Sequence, residues 1–482
     1  MSPTTNAPAA DAGGTPDYGA LRALLGPSLT PEDFIDRFWD AQPLALHANA
    51  REETDASAPF GKLLTLSDMD ALLMRARQPE SRSELLLFEH LQHVQSYATP
   101  HSAFANGASI IVNHTDKIWP KANKLCAALG RCFRYAFANL YFTPHASQTA
   151  PPHSDDRDVF VLQLSGRKHW LIWPTPHPNA KRRPFAHEQA GKAEGQAPLS
   201  ADMLGPPELD CVLEPGSLLY IPRGALHVAD TASIDESECS LHLTIAIPTA
   251  DLCHANLVLN AVNTHCFGQR RFRSSLPLGP LPSLKQRTAS SGEPPPPVGV
   301  HVELRAASAS SVALSLDLAA DSAEGEWRRV HSDLWEAVHA SVGWEEMRGE
   351  LCRRMARHRD SQRSALRELD SSINDAAERG HIEVVALWPT SRLRKIVPLV
   401  LIQPGDEQGL RRVAQATPQK GGPGRHTYAH TPAELFMPLD AFCAWPLGCE
   451  FALSELPARH DFLRACCARV LLQLGVVQMR MA

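Results

Sequence analysis

The chain has 482 residues, 44% of them hydrophobic, and a formal net charge of −6. That length exceeds a single hydrophobic core and implies about three domains of roughly 100–200 residues each, while the negative balance argues against a general nucleic-acid binder, whose footprint would be basic. The 11 cysteines form an odd, unpaired set that points to a reducing compartment rather than a disulfide framework, and with no apolar run near the ~20 residues of a membrane span and no secretory signal in residues 1–17, a soluble intracellular protein is expected.

Residues 1–17 are rich in Ala, Pro, Gly and Thr, which predicts a disordered N-terminus. Thr30, Pro31, Glu32 and Asp33 supply an N-cap, a proline at the first helical position and acids in the first turn; Phe34, Ile35, Phe38 and Trp39 form the apolar stripe of the helix that follows. Strands are expected between Tyr135 and Pro248. Val159–Leu164 reads as a strand that turns at Ser165 and Gly166 and returns as His169–Trp173; Glu214, Pro215 and Gly216 turn the chain into a second apolar strand at Ser217–Ile221. Residues 174–207, polar and proline-rich, read as a solvated insertion, with a substrate-shaping segment over the mouth of the strands as the alternative, and the basic cluster Lys181, Arg182 and Arg183 within them as part of that loop.

Beyond the strands the pattern turns helical. Asp251–Phe272 and residues 320–380 carry apolar residues at helical spacing, Leu334, Val338, Val342 and Leu351 among them, separated by the low-complexity linker Thr288–Pro297. Cys253, His254, His265 and Cys266 look like two ligand pairs, but a helix separates the two histidines by about 16 Å along its axis, too far to share one ion. After residue 381, Val384–Trp388 and Val397–Ile402 read as strands and Arg459–Leu474 as a terminal helix.

The chemistry centres on His153, Asp155 and His227. Residues two apart on a strand face the same side, so His153 and Asp155 can aim at one point while Ser154 turns away. His227, after the strand that ends at Pro222 and Gly224, can supply a third ligand. A bare His-x-Asp recurs by chance in a chain with 22 histidines. Here, however, it precedes a run of hairpins of the kind that lets a small antiparallel barrel place ligands in its mouth. Two imidazoles and one carboxylate leave three positions of an octahedral ion open, which suits Fe(II) that must bind both an oxoacid and O2.

Two stretches, NLYFTPHASQTAPPHSDDRDVFVLQLSGRKHW (Asn139–Trp170) and YIPRGALHVADT (Tyr220–Thr231), resemble the ribosomal oxygenases of the Jumonji-C family. The resemblance implies an α+β protein with a double-stranded β-helix (cupin, or jelly-roll) catalytic domain over 18–250, opened by a strand at Gln42–Leu46. It further implies a helical dimerisation region over 251–380 with the linker 288–297, and a winged-helix-like domain over 381–482. For the helical region, an intrachain helical core explains the same periodicity equally well. The implied activity is Fe(II)- and 2-oxoglutarate-dependent hydroxylation of a side chain of a ribosomal protein, with O2 as the other cosubstrate and histidine favoured over arginine as the target.

Within that resemblance His153, Asp155 and His227 hold the iron, Lys168 pairs with the distal carboxylate of 2-oxoglutarate, and Asn139, Tyr141 and Thr244 line the same pocket. From the residues alone, Lys168 beside Arg167 reads as a solvated turn lysine. The chain departs from the pattern at Ala246, where family members can carry a second hydroxyl. The alternatives are histone lysine demethylation by the same chemistry, and a non-catalytic ribosome-assembly or chromatin-binding factor. A homodimer without membrane contact is implied, placed in the nucleus or nucleolus if the cell has one and in the cytoplasm otherwise. The C-terminal segment lacks a basic recognition face, so direct nucleic-acid readout is not expected.

Overall fold

The computed structural model describes residues 17–48, 60–97, 99–173, 191, 199–200, 202, 204–233, 239–249, 251–267, 305–307, 311–313, 336, 338–340, 342–378, 386–397, 399–402, 411–415, 428–431 and 433–479. The expected disordered N-terminus, the linker 288–297, the helical pattern at 320–335 and most of the insertion at 174–207 lie outside these residues, as do the first two residues of the strand expected at Val384–Trp388. The chain divides into two units, one of residues 1–10 and 251–357 and the other of 11–250 and 358–482.

The larger unit begins with two short helices, α1 (Gly19–Leu25) and α2 (Pro31–Arg37). The second starts where the sequence marks it: Thr30 accepts from the Asp33 amide at 3.1 Å, and Pro31 occupies the first turn. There follow β1 (Leu44–Leu46), α3 (Met69–Ala76), β2 (Glu84–Glu89), β3 (Gln92–His93), α4 (Pro100–Ala105), β4 (Ser109–Asn113) and α5 (Pro120–Phe133). The strands that build the site come next: β5 (Phe137–Thr143), β6 (Asp158–Ser165), β7 (Lys168–Ile172), β8 (Leu209–Leu213), β9 (Leu218–Ile221), β10 (His227–Asp230) and β11 (Ser240–Ile247).

Two antiparallel sheets result, one in the order β1-β9-β6-β11-β5-β4-β2-β3 and the other β10-β7-β8. The central strands β9 and β11 are buried along their whole length and β6 along all but its last residue, so both faces of this part of the sheet are covered. Their two faces go to different places. Phe160, Leu162, Tyr220, Leu243 and Ile245 join a helical core with Phe34 and Leu129, whereas Val159, Val161, Leu219, Ile221 and Ala246 pack with Trp170 and Ile172 of the smaller sheet. The two sheets thus enclose a barrel interior.

Gly166 makes the turn between β6 and β7 with φ +61, a conformation that side-chain-bearing residues rarely adopt. Buried Gln163 donates to the carbonyls of Ser165 and Gly166 and to Ser240 Oγ, holding that turn in place.

The smaller unit contains α6 (His254–Phe267) and the strand pair β12 (Arg305–Ala307) and β13 (Ser311–Ala313). It also takes the first part of α7 (Trp344–Glu378), in which buried Glu350 accepts from Arg353 and Arg357. One continuous helix spans both His254 and His265, so they stay separated along its axis.

The unit boundary falls within α7, after Arg357. The remainder of that helix belongs with the barrel: Gln362 donates to Asp116 and to the Ala136 carbonyl, and Arg75 and Arg82 pair with Asp370 and Glu368. The C-terminal segment has β14 (Arg392–Lys395), β15 (Leu399–Ile402), β16 (Arg411–Gln415), β17 (Tyr428–Thr431), α8 (Ala433–Cys443), β18 (Glu450–Ala452), α9 (Asp461–Gln473) and β19 (Val477–Met479). Residues 386–388 precede β14 as irregular chain rather than the expected strand.

Phe462 of α9 stacks on His101 and meets Phe104 and Phe142 edge-on, so this segment shares one hydrophobic core with the outer face of the larger sheet. Buried Lys395 donates to the carbonyls of Phe442, Cys443 and Trp445, satisfying the end of α8 with a cation. Among the described residues no helix is long and apolar enough to cross a membrane.

Candidate metal centre

His153 and His227 face each other across an isolated antiparallel bridge, exchanging both backbone hydrogen bonds at 3.0 and 2.8 Å. The sequence places His153 and Asp155 on one strand, but the regular ladder of β6 starts only at Asp158, and Asp155 lies in irregular chain before it. The two side chains still converge on one cluster. The Gly224 amide, donating to the Asp155 carbonyl at 2.8 Å, ties this chain to the turn before β10.

The ring nitrogens sort themselves by their partners. His153 Nδ1 lies 2.8 Å from the Pro151 carbonyl and His227 Nδ1 3.0 Å from that of Ala225. A carbonyl only accepts, so each Nδ1 carries the proton and each Nε2 presents its lone pair. Asp155 Oδ2 is 3.7 Å from His227 Nε2, and one ligand atom from each of the three residues lies within 4.8 Å of the others. Both histidines are buried and Asp155 is half-buried, so this donor set fits one divalent cation with an open face. It is the one such cluster among the described residues.

The expected cosubstrate residues lie on the barrel interior. The β5–β11 register pairs Asn139 with Thr244 and Tyr141 with His242. Asn139 Oδ1 accepts from the His114 amide at 3.0 Å, which leaves its NH2 to point elsewhere. Burial, with the Asp155 charge adding to it, pushes the Tyr141 phenol above its ordinary range.

Lys168 opens β7, is 2% exposed and donates to Thr143 Oγ1 at 2.9 Å. It is therefore not a solvated turn lysine. Burial pulls its ammonium down to about 7, only partly opposed by Asp230. Its hydrogen-bond partner is a neutral hydroxyl, and among the described residues it forms no ion pair. A desolvated ammonium so placed suits a carboxylate ligand.

Three interior residues escape the sequence reading: Thr143, Trp170 and His242. The Trp170 ring lies 6.2 Å from that of His227 and 5.6 Å from that of His242. Trp170 Nε1 and His242 Nδ1 are both buried without a hydrogen-bond partner. Buried polar atoms are rarely left so; with Lys168 they mark the interior as built for a polar ligand. Strand alternation could have found two of the three, because Thr143 follows Tyr141, and His242 precedes Thr244, by two residues.

The family model of the JmjC domain matches residues 112–251. Ribosomal oxygenase 2 of Mus musculus is 31% identical over 242 residues, 47% of this chain and 46% of that protein. The bifunctional lysine-specific demethylase and histidyl-hydroxylase NO66 of Drosophila grimshawi is 30% identical over 275 residues, 54% of this chain and 35% of that protein. The chain thus spans less than half the length of either relative. Among solved structures, the Escherichia coli ribosomal oxygenase YcfD in complex with cobalt and 2-oxoglutarate aligns with a TM-score of 0.41 at 16% identity, over 95% of this chain and 99% of that one. Residues 112–251, which carry His153, Asp155, His227 and Lys168, are the stretch that resembles the JmjC domain.

Proposed function

We propose that the chain is an Fe(II)- and 2-oxoglutarate-dependent dioxygenase that hydroxylates a side chain of a ribosomal protein, with histidine the favoured target. The observation that carries this reading is the pairing, in one barrel interior, of the His153–Asp155–His227 cluster with the buried ammonium of Lys168. His153 Nε2, His227 Nε2 and an Asp155 oxygen would hold the iron, and Lys168 the distal carboxylate of 2-oxoglutarate. When bound, the metal would let O2, the oxidant, place one oxygen atom in an unactivated C–H to give C–OH and the other in the oxoacid, which supplies two electrons and leaves as succinate and CO2.

The protein's own part is orientation and exclusion of water. The backbone carbonyls of Pro151 and Ala225 fix both imidazole tautomers, and the apolar walls of Val159, Val161, Leu219 and Ile221 keep the interior dry. A dry site strengthens the Lys168–carboxylate pair. Asn139, Tyr141 and Thr244 add polar groups along the same face, while Ala246 leaves one position without a hydroxyl.

Mass spectrometry of ribosomal proteins incubated with the enzyme, Fe(II), ascorbate and 2-oxoglutarate tests the reading. A histidine heavier by one oxygen atom is expected; the absence of both an oxidised residue and succinate would overturn it. The name of the fly relative favours one alternative, lysine demethylation, which would instead release formaldehyde from a methyl-lysine histone peptide. The family resemblance also supports a helical dimerisation region and a winged-helix-like C-terminal module, with a nuclear site of action in a nucleated cell. Light scattering that gives twice the chain mass is the outcome expected for the dimer.

A further inference from the structure

The barrel interior holds a buried titratable ring that the metal and lysine assignments leave unused. His242 lies on β11 and is 2% exposed. Its ring is parallel to that of Tyr141 at 4.9 Å and 6°, and meets Trp170 nearly at right angles, at 5.6 Å and 72°. These contacts fix the imidazole plane. Burial first, and then the Lys168 charge, hold the ring far below its ordinary titration range, so it is uncharged. Its Nδ1 is enclosed and has no protein partner.

A neutral imidazole carries one N–H, and a dry interior leaves such groups unpaired only at a cost that a ligand can remove. The position says which ligand. His242 stands opposite Tyr141 on β5, and the next interior residue of that strand, Thr143, is the one to which Lys168 donates. Lys168 reaches the same volume from β7, in the facing sheet, closely enough to act on the titration of His242. A carboxylate offers about four acceptor positions, more than one ammonium can fill.

Resting on the 2-oxoglutarate reading above, we propose that His242 is a second cosubstrate-binding residue, its uncharged imidazole donating one hydrogen bond to the distal carboxylate that Lys168 also holds. Being neutral, the ring adds a donor without adding a second buried cation beside Lys168. The interior then recognises the far end of the oxoacid from two sheets at once.

The test is calorimetric titration of 2-oxoglutarate, without oxygen, into the full chain loaded with Mn(II) in place of iron. His242→Phe keeps an aromatic ring against Tyr141 and removes the donor; its affinity should fall by about 10- to 100-fold, the loss expected for one hydrogen bond to a charged group. Its Mn(II) content should stay that of the wild type. His242→Asn, which retains an N–H donor, should recover part of the loss. If His242→Phe binds as tightly as the wild type while Lys168→Ala is weakened, the His242 inference falls and the 2-oxoglutarate reading stands. If the Mn(II)-loaded wild type takes up no 2-oxoglutarate, the proposed function falls as well.

Discussion

At the scale of single residues, the three candidate ligands and the lysine make separable demands. Asp155→Ala removes one of three donors from a cluster whose histidines are held by main-chain contacts, so metal content by mass spectrometry should fall to near zero while circular dichroism stays unchanged. Lys168 is a cost to the empty protein. Its folded pKa, about 7, lies below its unfolded value, so the penalty is fully present below pH 7 and disappears as pH rises towards 10.5. Lys168→Met should therefore raise the melting temperature of the metal-free protein at pH 6, by the equivalent of a few kcal/mol, and barely alter it at pH 10. Equal melting shifts at both pH values would remove the buried-charge assignment. The candidate triad was legible in the sequence as a histidine and an aspartate two residues apart with a later histidine, and the three do form one cluster. The role of Lys168 came from the resemblance, since next to Arg167 nothing local distinguishes a buried lysine from a solvated one. His242 carries no local signal, being one histidine among 22 and lying within an otherwise largely apolar strand.

At the scale of elements, the β6–β7 hairpin sets the position of Lys168. A Cβ on Gly166 would lie 1.9 Å from the Cys239 carbonyl oxygen, and its φ of +61 resists any side chain. Gly166→Ala should thus shift the start of β7, weakening 2-oxoglutarate binding more than metal binding and lowering the melting temperature; unaltered affinity in calorimetry would separate the turn from the pocket. The turn was legible as Ser165 and Gly166 between two apolar runs. The ladder around the metal ligands was not, because a single bridge leaves no periodic trace: His153 and Asp155 read as members of a strand, and only His153 is paired.

At the scale of the molecule, distant parts of the chain close on one buried carboxylate. Asp70 of α3 contacts His101 at 2.9 Å, and accepts from Arg469 at 3.0 and 2.7 Å and from the Leu387 amide at 2.7 Å. Burial alone would raise its pKa, but the bonds to His101 and Arg469 outweigh that and hold it well below the ordinary carboxylate range. The stability this contributes is present above the unfolded pKa and is lost as pH falls below it. Asp70→Asn leaves the Arg469 charge uncompensated and should cost about 3–5 kcal/mol, read as a lowered urea midpoint at pH 7. The sequence announced a terminal helix over Arg459–Leu474, yet it could not name the surface that covers it: Phe462 meets Phe104 and Phe142, more than three hundred residues away.

The bridge that joins His153 to His227 makes the two imidazole ligands a single preset unit. Their main chains are bonded to each other and their rings to carbonyls two residues upstream, so the spacing of two donors is settled by folding and asks nothing of the metal. Asp155 sits outside that pair, on irregular chain secured through its own carbonyl to Gly224. A divalent cation would then meet two preset nitrogens, with the Asp155 carboxylate as the third donor. In hydrogen exchange, the amides of His153 and His227 would be as slow without metal as with it, and the change on loading would be confined to the chain around Asp155.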